Sequence, residues 1–240
     1  RSTHCICRQR QMCIRDSLGI PLFLAEECPH VHMAIGTTVF PTSIGQASTW
    51  NPELIRQMGR VIAIEASAQG AHIGYGPVLD LARDPRWSRV EETYGEDPYL
   101  NGVMGTALVR GFQGETLNDG KSVIATLKHF ASYGWTEGGH NGGTAHIGER
   151  ELEEAIFPPF REAVGAGALS VMSSYNEIDG NPCTGSRYLL TDILKDRWQF
   201  KGFVVSDLYA VGGLREHGVA GNDYEAVSYT HLTLPTICSV

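Results

Sequence analysis

Polar and charged side chains follow five short apolar segments of this sequence. In chain order they are Glu26, Glu27 and His30; Arg83, Asp84, Arg86 and Arg89; Lys128 and His129; Tyr175, Asn176 and Glu177; and Asp207. Gathered in one pocket, they would combine carboxylates, cations and a phenol. Such a lining suits sugar hydroxyls, because each hydroxyl donates and accepts hydrogen bonds and charged partners bind it more strongly. Trp87 and Trp135 would offer apolar faces to a sugar ring.

Asp207 ends the segment GFVVSDL (202–208), in which Phe203 to Ser206 indicate a short buried strand. Moving an unpaired carboxylate out of water is costly, so this position needs a partner or a chemical task. Taken alone, Asp207 could equally be the N-cap of a helix that follows the strand.

A scaffold that gathers several strand ends is therefore required. The pattern predicts strands within 20–27, 73–85, 121–130, 168–180 and 202–208, and helices over 51–70, 97–114, 148–167 and 186–200. Pro158 and Pro159 should bend or interrupt the third of these helices. Strands alternating with helices imply parallel pairing through right-handed crossovers. This α/β pattern predicts a (β/α)8-type TIM barrel, whose chemistry lies at the C-terminal strand ends.

A Rossmann-type sheet is the competing fold. It would require a glycine-rich turn directly after the first strand, and the segment AEECPHVH (25–32) is not such a turn. Length does not decide between them, because 240 residues suit one large domain or two small ones. No run approaches eighteen apolar residues, so no transmembrane helix is expected.

The two ends of the chain have a different character from its middle. Residues 1–17 and 228–240 resemble translated adapter sequence, and we exclude them from the fold prediction. Without their four arginines and one aspartate, the chain's 19 basic and 27 acidic residues become 15 and 26, a net charge of −11. That charge argues against nucleic acid or an anionic membrane as a partner. Only Cys28 and Cys183 then remain, which excludes a disulfide framework and a cysteine metal site.

Three motifs, LDLARDPRWSRVEETYGEDPYL, KHFASYG and GFVVSDLYAV, occur in the order found in glycoside hydrolase family 3, and residues 18–227 resemble the β-glucosidase and β-xylosidase members of that family. The resemblance implies a partial N-terminal barrel domain that lacks its first and last portions. It also implies a retaining exo-β-glycosidase acting on terminal β-glucosyl or β-xylosyl residues, without metal or organic cofactor. The acid/base would be a glutamate of a C-terminal α/β sandwich domain that this chain lacks.

The resemblance also implies individual roles. Asp207 matches the nucleophile of the family's "SD" motif. Arg89, Lys128 and His129 match residues that hold hydroxyls of the sugar in the first subsite. Two further matches are Tyr175, which flanks the nucleophile, and Glu27, which grips the hydroxyls farthest from the scissile bond.

Three departures from the family pattern matter. Val31 stands where glycine is frequent, and Leu208 replaces a frequent tryptophan, so an aromatic wall of the substrate platform is absent. The loop GGHNGG (138–143) lacks the Asp-Ser-His pattern of the N-acetylglucosaminidase branch, which argues against that activity.

Two other functions remain open. Lys128 could serve a Schiff-base lyase or aldolase on the same fold. Alternatively, the chain is an inactive fragment that binds sugar weakly. A bacterial periplasmic or secreted location is favoured, although cytoplasmic members would look similar.

Several polar residues have a structural interpretation instead. Arg83, Asp84 and Arg86 are expected to form a salt-bridge loop, and Glu177 and Asp179 a turn before Gly180. The remaining assignments are surface or helix-start charges for Glu91, Glu92 and Glu96, and structural roles for His30 and His32.

Overall fold

Five parallel strands form the main sheet within residues 23–208, 210–212 and 214, which are the residues that the computed structural model describes. The segments 1–17 and 228–240 lie outside them. The strands are β1 (Ala25–Glu27), β2 (Ile73–Val78), β3 (Ile124–Phe130), β4 (Thr144–Ala145), β5 (Ser170–Ser173), β6 (Glu177–Ile178), β7 (Asn181–Pro182) and β8 (Phe203–Ser206).

The order of the main sheet is β1-β2-β3-β5-β8, and every neighbouring pair is parallel. Each strand of this sheet therefore pairs with the next main-sheet strand along the chain, without the reversal of order that defines a doubly wound sheet. This order, in a curled sheet, confirms the barrel-type α/β fold and excludes the Rossmann alternative. Strands β4, β6 and β7 form a separate small sheet.

Helices occupy the predicted connections. They are α1 (Ser43–Ala47), α2 (Pro52–Ala68), α3 (Pro98–Gln113), α4 (Glu149–Glu151) and α5 (Phe157–Gly165), with π-helical segments at Leu152–Ile156 and Tyr188–Arg197 and 3₁₀ turns at Val90–Glu92, Leu117–Asp119, Tyr133–Trp135, Glu137–Gly139, Cys183–Gly185 and Ala210–Gly212. The helix predicted over 186–200 is thus present, but its winding is π-helical, for which nothing in its sequence gives a reason.

The proline pair interrupts the helix predicted over 148–167, as expected. The π-helical segment ends at Ile156, and α5 begins one residue before Pro158. Because proline has no N–H, Pro158 and Pro159 fit the first turn of a new helix, where N–H groups have no partner within that helix.

Helices α2 and α3 start on the same local signal. Asn51 and Asp97 each precede a proline, and their side chains accept the backbone N–H of Leu54 (3.1 Å) and Leu100 (2.8 Å). Each cap satisfies an N–H group that the helix itself leaves unpaired.

The two helices then pack closely on each other. A Cβ at Gly111 would lie 2.4 Å from the carbonyl oxygen of Arg56 and 2.9 Å from the Cα of Gly59. Only glycine fits this contact, which fixes α2 and α3 against the sheet and so the strand ends that they connect.

Candidate active site

The predicted site residues lie at or just beyond the C-terminal ends of the main-sheet strands. Glu27 is the last residue of β1, Lys128 and His129 lie near the end of β3, Tyr175 follows β5 by two residues, and Asp207 directly follows β8. Because parallel strands place these ends along one edge of the sheet, five separated segments can contribute to one site.

Lys128 and His129 both contact site residues, although they are adjacent in a strand. Successive side chains of a regular strand point to opposite faces. The pairing register between β3 and β5 is irregular between Leu127 and Phe130. The regular alternation therefore does not hold at the end of β3, and both side chains contact site residues.

The ammonium of Lys128 is paired with a carboxylate. Its Nζ donates a hydrogen bond to Oε2 of Glu27 at 2.8 Å. The Lys128 side chain is only 3% exposed, whereas that of Glu27 is 50% exposed. This contact commits Nζ of Lys128 to Glu27, which argues against the Schiff-base alternative because that chemistry needs Nζ free to attack a carbonyl carbon.

The imidazole of His129 lies between two carboxylates. Its Nδ1 is 2.7 Å from Oδ2 of Asp80, and its Nε2 is 3.5 Å from Oδ2 of Asp207. The same Asp80 oxygen accepts the backbone N–H of His129 at 3.1 Å. His129 and Asp80 are both almost fully buried.

Burial shifts the titration of both members of this pair. Removal from water raises the pKa of Asp80 to about 7, although the positive charge of Arg89 opposes the shift. Burial also lowers the pKa of His129 well below its usual value, and the charges of Arg89 and Lys128 add to that effect. Both shifts favour uncharged forms, as expected for groups removed from water.

Asp207 is held at one oxygen and leaves the other facing the site. Its Oδ1 accepts the backbone N–H of Leu208 at 2.8 Å. Its Oδ2 is buried without a hydrogen-bond partner, and the side chain as a whole is 11% exposed. A carboxylate fixed at one oxygen with a free second oxygen is suited to attack an electrophilic carbon.

Arg89 is anchored by Glu92, which was expected to be a surface or helix-start charge. Two guanidinium nitrogens donate to the two carboxylate oxygens at 2.6 and 2.7 Å, and the Glu92 side chain is only 18% exposed. Although burial opposes the charge of Arg89, the pair with Glu92 raises the pKa of Arg89 and, against burial, lowers the pKa of Glu92. Glu92 lies in the first turn of the 3₁₀ segment Val90–Glu92, as the helix-start prediction expected, and a bidentate partner compensates its partial burial.

Tyr133 connects the parts of the site. Its ring is 4.9 Å from the His129 ring and 5.8 Å from the Tyr175 ring, and the Arg89 guanidinium carbon is 5.4 Å from its centre. Its hydroxyl donates to Oδ1 of Asn141 in the loop GGHNGG. Through these contacts Tyr133 links three of the predicted site residues.

Tyr175 is 36% exposed and lies beside the nucleophile candidate. Partial burial, followed by the neighbouring Asp207 carboxylate, raises the pKa of the Tyr175 phenol. Its position matches the predicted place next to Asp207.

The two tryptophans do not line an open sugar platform. Trp87 is 2% exposed and packs edge-on against Tyr133 at 5.2 Å, so its predicted contact with sugar is wrong. Trp135 is partly buried, and the Arg83 guanidinium covers its ring at 4.7 Å. Both indoles are occupied by neighbouring side chains.

Other predicted structural roles are confirmed. Arg86 and Asp84 form a 2.6 Å ion pair in the loop after β2, and the Glu177 carboxylate accepts the backbone N–H of Gly180 in the expected turn. His32 is buried, with Nδ1 4.0 Å from Sγ of Cys28.

Sequence reasoning missed Asp80, Tyr133 and the partnership of Glu92 with Arg89. Asp80 had a usable signal, because it is a carboxylate directly after the apolar run GPVL (76–79). Tyr133 lies within KHFASYG, but nothing in its spacing indicates contacts with His129 and Arg89. All six predicted residues, Glu27, Arg89, Lys128, His129, Tyr175 and Asp207, are nevertheless brought into one connected cluster.

Residues 23–208, 210–212 and 214 contain neither a candidate metal site nor a candidate membrane span. In this part of the chain, His, Cys, Asp and Glu side chains form no group of three arranged to hold a metal ion. In the same residues, none of the helices combines the length and the apolar character needed to cross a membrane.

Comparison with known proteins places this geometry among glycosidases. The family model described as the glycosyl hydrolase family 3 N-terminal domain matches residues 2–230. Among curated relatives, a periplasmic β-glucosidase of Salmonella typhimurium is 40% identical over 219 residues, covering 91% of this chain and 28% of the relative. A β-xylosidase of Formosa agariphila is 45% identical over 221 residues, covering 88% and 31%.

Solved structures agree. A β-glucosidase from Erythrobacter marinus superposes with a TM-score of 0.89 at 38% identity, covering 96% of this chain and 32% of that one. A β-glucosidase from Listeria innocua in complex with glucose gives 0.85 at 37% identity, covering 92% and 31%. The chain thus spans less than a third of the length of these relatives.

Proposed function

Because this chain belongs to glycosyl hydrolase family 3, we propose that it supplies the nucleophile and the first sugar subsite of a retaining exo-β-glycosidase. The substrates would be terminal, non-reducing β-glucosyl or β-xylosyl residues, the two sugars named for its relatives. The observation that carries the proposal is the Asp207 carboxylate at the end of β8, with one oxygen held by Leu208 and the other free beside His129.

The mechanism begins with attack of Asp207 Oδ2 on the anomeric carbon. The bond from that carbon to the leaving-group oxygen breaks, and a proton from an acid is added to this oxygen. The glycosyl ester formed on Asp207 is then hydrolysed by water, with the same group acting as base. Two inversions give net retention.

The acid/base residue is proposed to lie elsewhere in the full-length protein. Three carboxylates of the site already have partners: Glu27 binds Lys128, Glu92 binds Arg89, and Asp80 binds His129. A proton donor for the leaving group would come from a C-terminal α/β sandwich domain, as the family resemblance implies.

The sugar hydroxyls would be held by pairs that offer both donors and acceptors. Lys128 with Glu27, and Arg89 with Glu92, each present a charged donor next to a charged acceptor. A sugar hydroxyl can donate to one member and accept from the other. Tyr175 would form the wall beside the nucleophile.

Labelling of the full-length enzyme tests the assignment. It is incubated with 2-fluoro glucosides and 2-fluoro xylosides that carry a dinitrophenolate leaving group, which needs little protonation to depart. Intact mass and peptide mapping should find a fluorosugar ester on Asp207, and the faster label identifies the preferred sugar. Asp207→Asn is the negative variant, and Asp84→Asn is the matched control.

An adduct on any other carboxylate would reassign the nucleophile. If the folded enzyme forms no adduct with either sugar, the retaining glycosidase proposal is wrong. A periplasmic location, suggested by the Salmonella relative, is a further proposal that fractionation of the producing cells would test.

A further inference from the structure

The buried carboxylate of Asp80 has no direct place in the chemistry proposed above. It lies two residues beyond β2, almost fully removed from solvent. Its Oδ2 contacts two atoms of His129, the backbone N–H at 3.1 Å and the ring Nδ1 at 2.7 Å, and its Oδ1 has no partner. Both contacts of this buried carboxylate are to one histidine, which indicates that Asp80 sets which ring nitrogen of His129 carries the proton.

We infer that Asp80 is a positioning residue that holds the proton of His129 on Nδ1 and leaves Nε2 as an unprotonated acceptor beside Asp207. The inference rests on the proposed function for its consequence, but not for its geometry. An ionised carboxylate can only accept hydrogen bonds, and its Oδ2 already accepts the backbone N–H. Above the pKa of Asp80, the Nδ1 atom at 2.7 Å is therefore the donor, because two acceptors would repel at that distance.

The opposite ring nitrogen faces the nucleophile. Nε2 lies 3.5 Å from Oδ2 of Asp207, longer than a hydrogen bond between nitrogen and oxygen. With the proton on Nδ1, neither atom donates to the other, and Asp207 keeps a free lone pair for attack. A proton on Nε2 would instead direct a hydrogen bond at that oxygen and compete with the anomeric carbon.

The surroundings of the ring support the same arrangement. The groups whose charges act on His129 are Asp207, Arg89, Lys128 and Glu92, and the Tyr133 ring packs against the imidazole. The two cations, together with burial, disfavour a doubly protonated imidazolium. A neutral ring with an acceptor at Nε2 can take a hydrogen bond from a sugar hydroxyl, which adds a contact without charge.

The ¹⁵N spectrum of histidine in the full-length protein tests the tautomer directly. Protonated and unprotonated ring nitrogens give well-separated shifts, and His129→Gln assigns the signals. At about pH 8, where Asp80 is ionised, Nδ1 should be protonated and Nε2 unprotonated. A protonated Nε2 in the wild-type enzyme overturns the inference, whatever the outcome of Asp207 labelling.

Two substitutions then separate positioning from structural support. Asp80→Asn keeps an oxygen that accepts from both His129 atoms, whereas Asp80→Leu has similar volume and no acceptor. We expect Leu to add a population with Nε2 protonated and to lower kcat about ten- to a hundredfold, with Asn within about tenfold of wild type. The Asp84→Leu variant, which alters a carboxylate of the same loop that pairs with Arg86 and with no site residue, should leave kcat unchanged.

If Asp80→Asn and Asp80→Leu lower kcat equally and leave the His129 tautomer unchanged, Asp80 has a purely structural role and the inference is refuted. If Leu does not fold, the wild-type spectrum and the kinetics of Asn still decide. Absence of a fluorosugar label on Asp207 would refute the proposed glycosidase chemistry, whereas the ¹⁵N spectrum would still test the role of Asp80.

Discussion

The buried ammonium of Lys128 and the half-exposed carboxylate of Glu27 should be coupled by about 2 kcal/mol in the folded protein. The two groups meet at 2.8 Å, with side-chain exposures of 3% and 50%. This asymmetry means that removing one partner is not equivalent to removing the other. Lys128→Met keeps most of the packing volume, and Glu27→Gln keeps the shape of the carboxylate but not its charge.

The magnitudes follow from the solvation of the group left behind. At 2.8 Å, Coulomb attraction amounts to about 6 kcal/mol at an effective dielectric constant of 20 and about 1.5 kcal/mol in water, and the exposure of Glu27 places the pair near the lower value. Lys128→Met leaves a carboxylate that water can solvate, at a cost of about 1 kcal/mol. Glu27→Gln strands a buried charge and should cost about 3 kcal/mol. The double variant should lose about 2 kcal/mol, less than Glu27→Gln alone.

The assay is denaturant unfolding of the domain that contains this chain, followed in the full-length protein for all four members of the cycle. Lys121→Met and Glu91→Gln make the same chemical changes at exposed positions. Each should change the free energy of unfolding by no more than about 0.5 kcal/mol, and the two changes should be additive. In activity, Lys128→Met should lower kcat/KM about ten- to a hundredfold, since the proposed charged hydrogen bond to the sugar would be lost. A larger loss of stability in Lys128→Met than in Glu27→Gln would refute the argument from solvation.

Two further predictions concern packing and an exposed histidine. Gly111→Ala should destabilise the domain by about 1–3 kcal/mol in a calorimetric scan, because the new Cβ would lie 2.4 Å from the Arg56 carbonyl oxygen. The control is Gly165→Ala, because Gly165 is a helical glycine with open space around it. In the same scan this variant should be neutral or slightly stabilising. The hydrogen bond to Asp179 raises the pKa of His146, so the stabilising effect of that pair is complete below the unfolded-state pKa and is lost as the pH rises through the folded-state pKa. An NMR titration should place the His146 midpoint above its usual 6.5 and return it towards that value in Asp179→Asn, and an unchanged midpoint would contradict the assignment.

Most of the scaffold could be predicted because its signals are local. Asn51-Pro52 and Asp97-Pro98 mark helix starts through capping and the fixed φ of proline, and the structure has both caps. The β3 strand was predicted over 121–130 and occurs at Ile124–Phe130. A short apolar segment between two helices is buried most simply as a strand of the central sheet. The alternation of the two element types then fixed the parallel sheet.

The partners of the site residues could not be predicted in the same way. The bond between Glu27 and Lys128 spans 101 positions and that between Asp80 and His129 spans 49, so no local pattern contains them. Arg89 and Glu92 are only three positions apart, yet their burial depends on Tyr133 and on the sheet behind them. The prediction for Trp87 was wrong for the same reason, because the sequence around an aromatic residue with charged neighbours is equally compatible with a sugar-binding surface and with the hydrophobic core. Spacing identifies which groups converge, and only tertiary packing decides which of them face one another.

The pairing of charges changes how the nucleophile is supported. Nearby cations such as Lys128 and Arg89 would support the charge of a nucleophilic carboxylate if they were unpaired. Among the described residues, each of these cations already has its own carboxylate, Glu27 or Glu92. Much of their field at Asp207 is therefore cancelled, and the Asp207 carboxylate is supported by the backbone N–H of Leu208 and by the neighbouring Tyr175 hydroxyl.

A site balanced in this way suits a neutral polyol. Each ion pair offers donors and acceptors at no net charge, and the charge left over around the free oxygen of Asp207 is negative. An uncharged sugar can exchange hydrogen bonds with the pairs without separating them, because its hydroxyls play both roles. An anionic ligand would have to draw Lys128 or Arg89 from its carboxylate and approach Asp207 against like charge. The same pairing that weakens support for the proposed nucleophile thus fits the proposed action on uncharged glycosides.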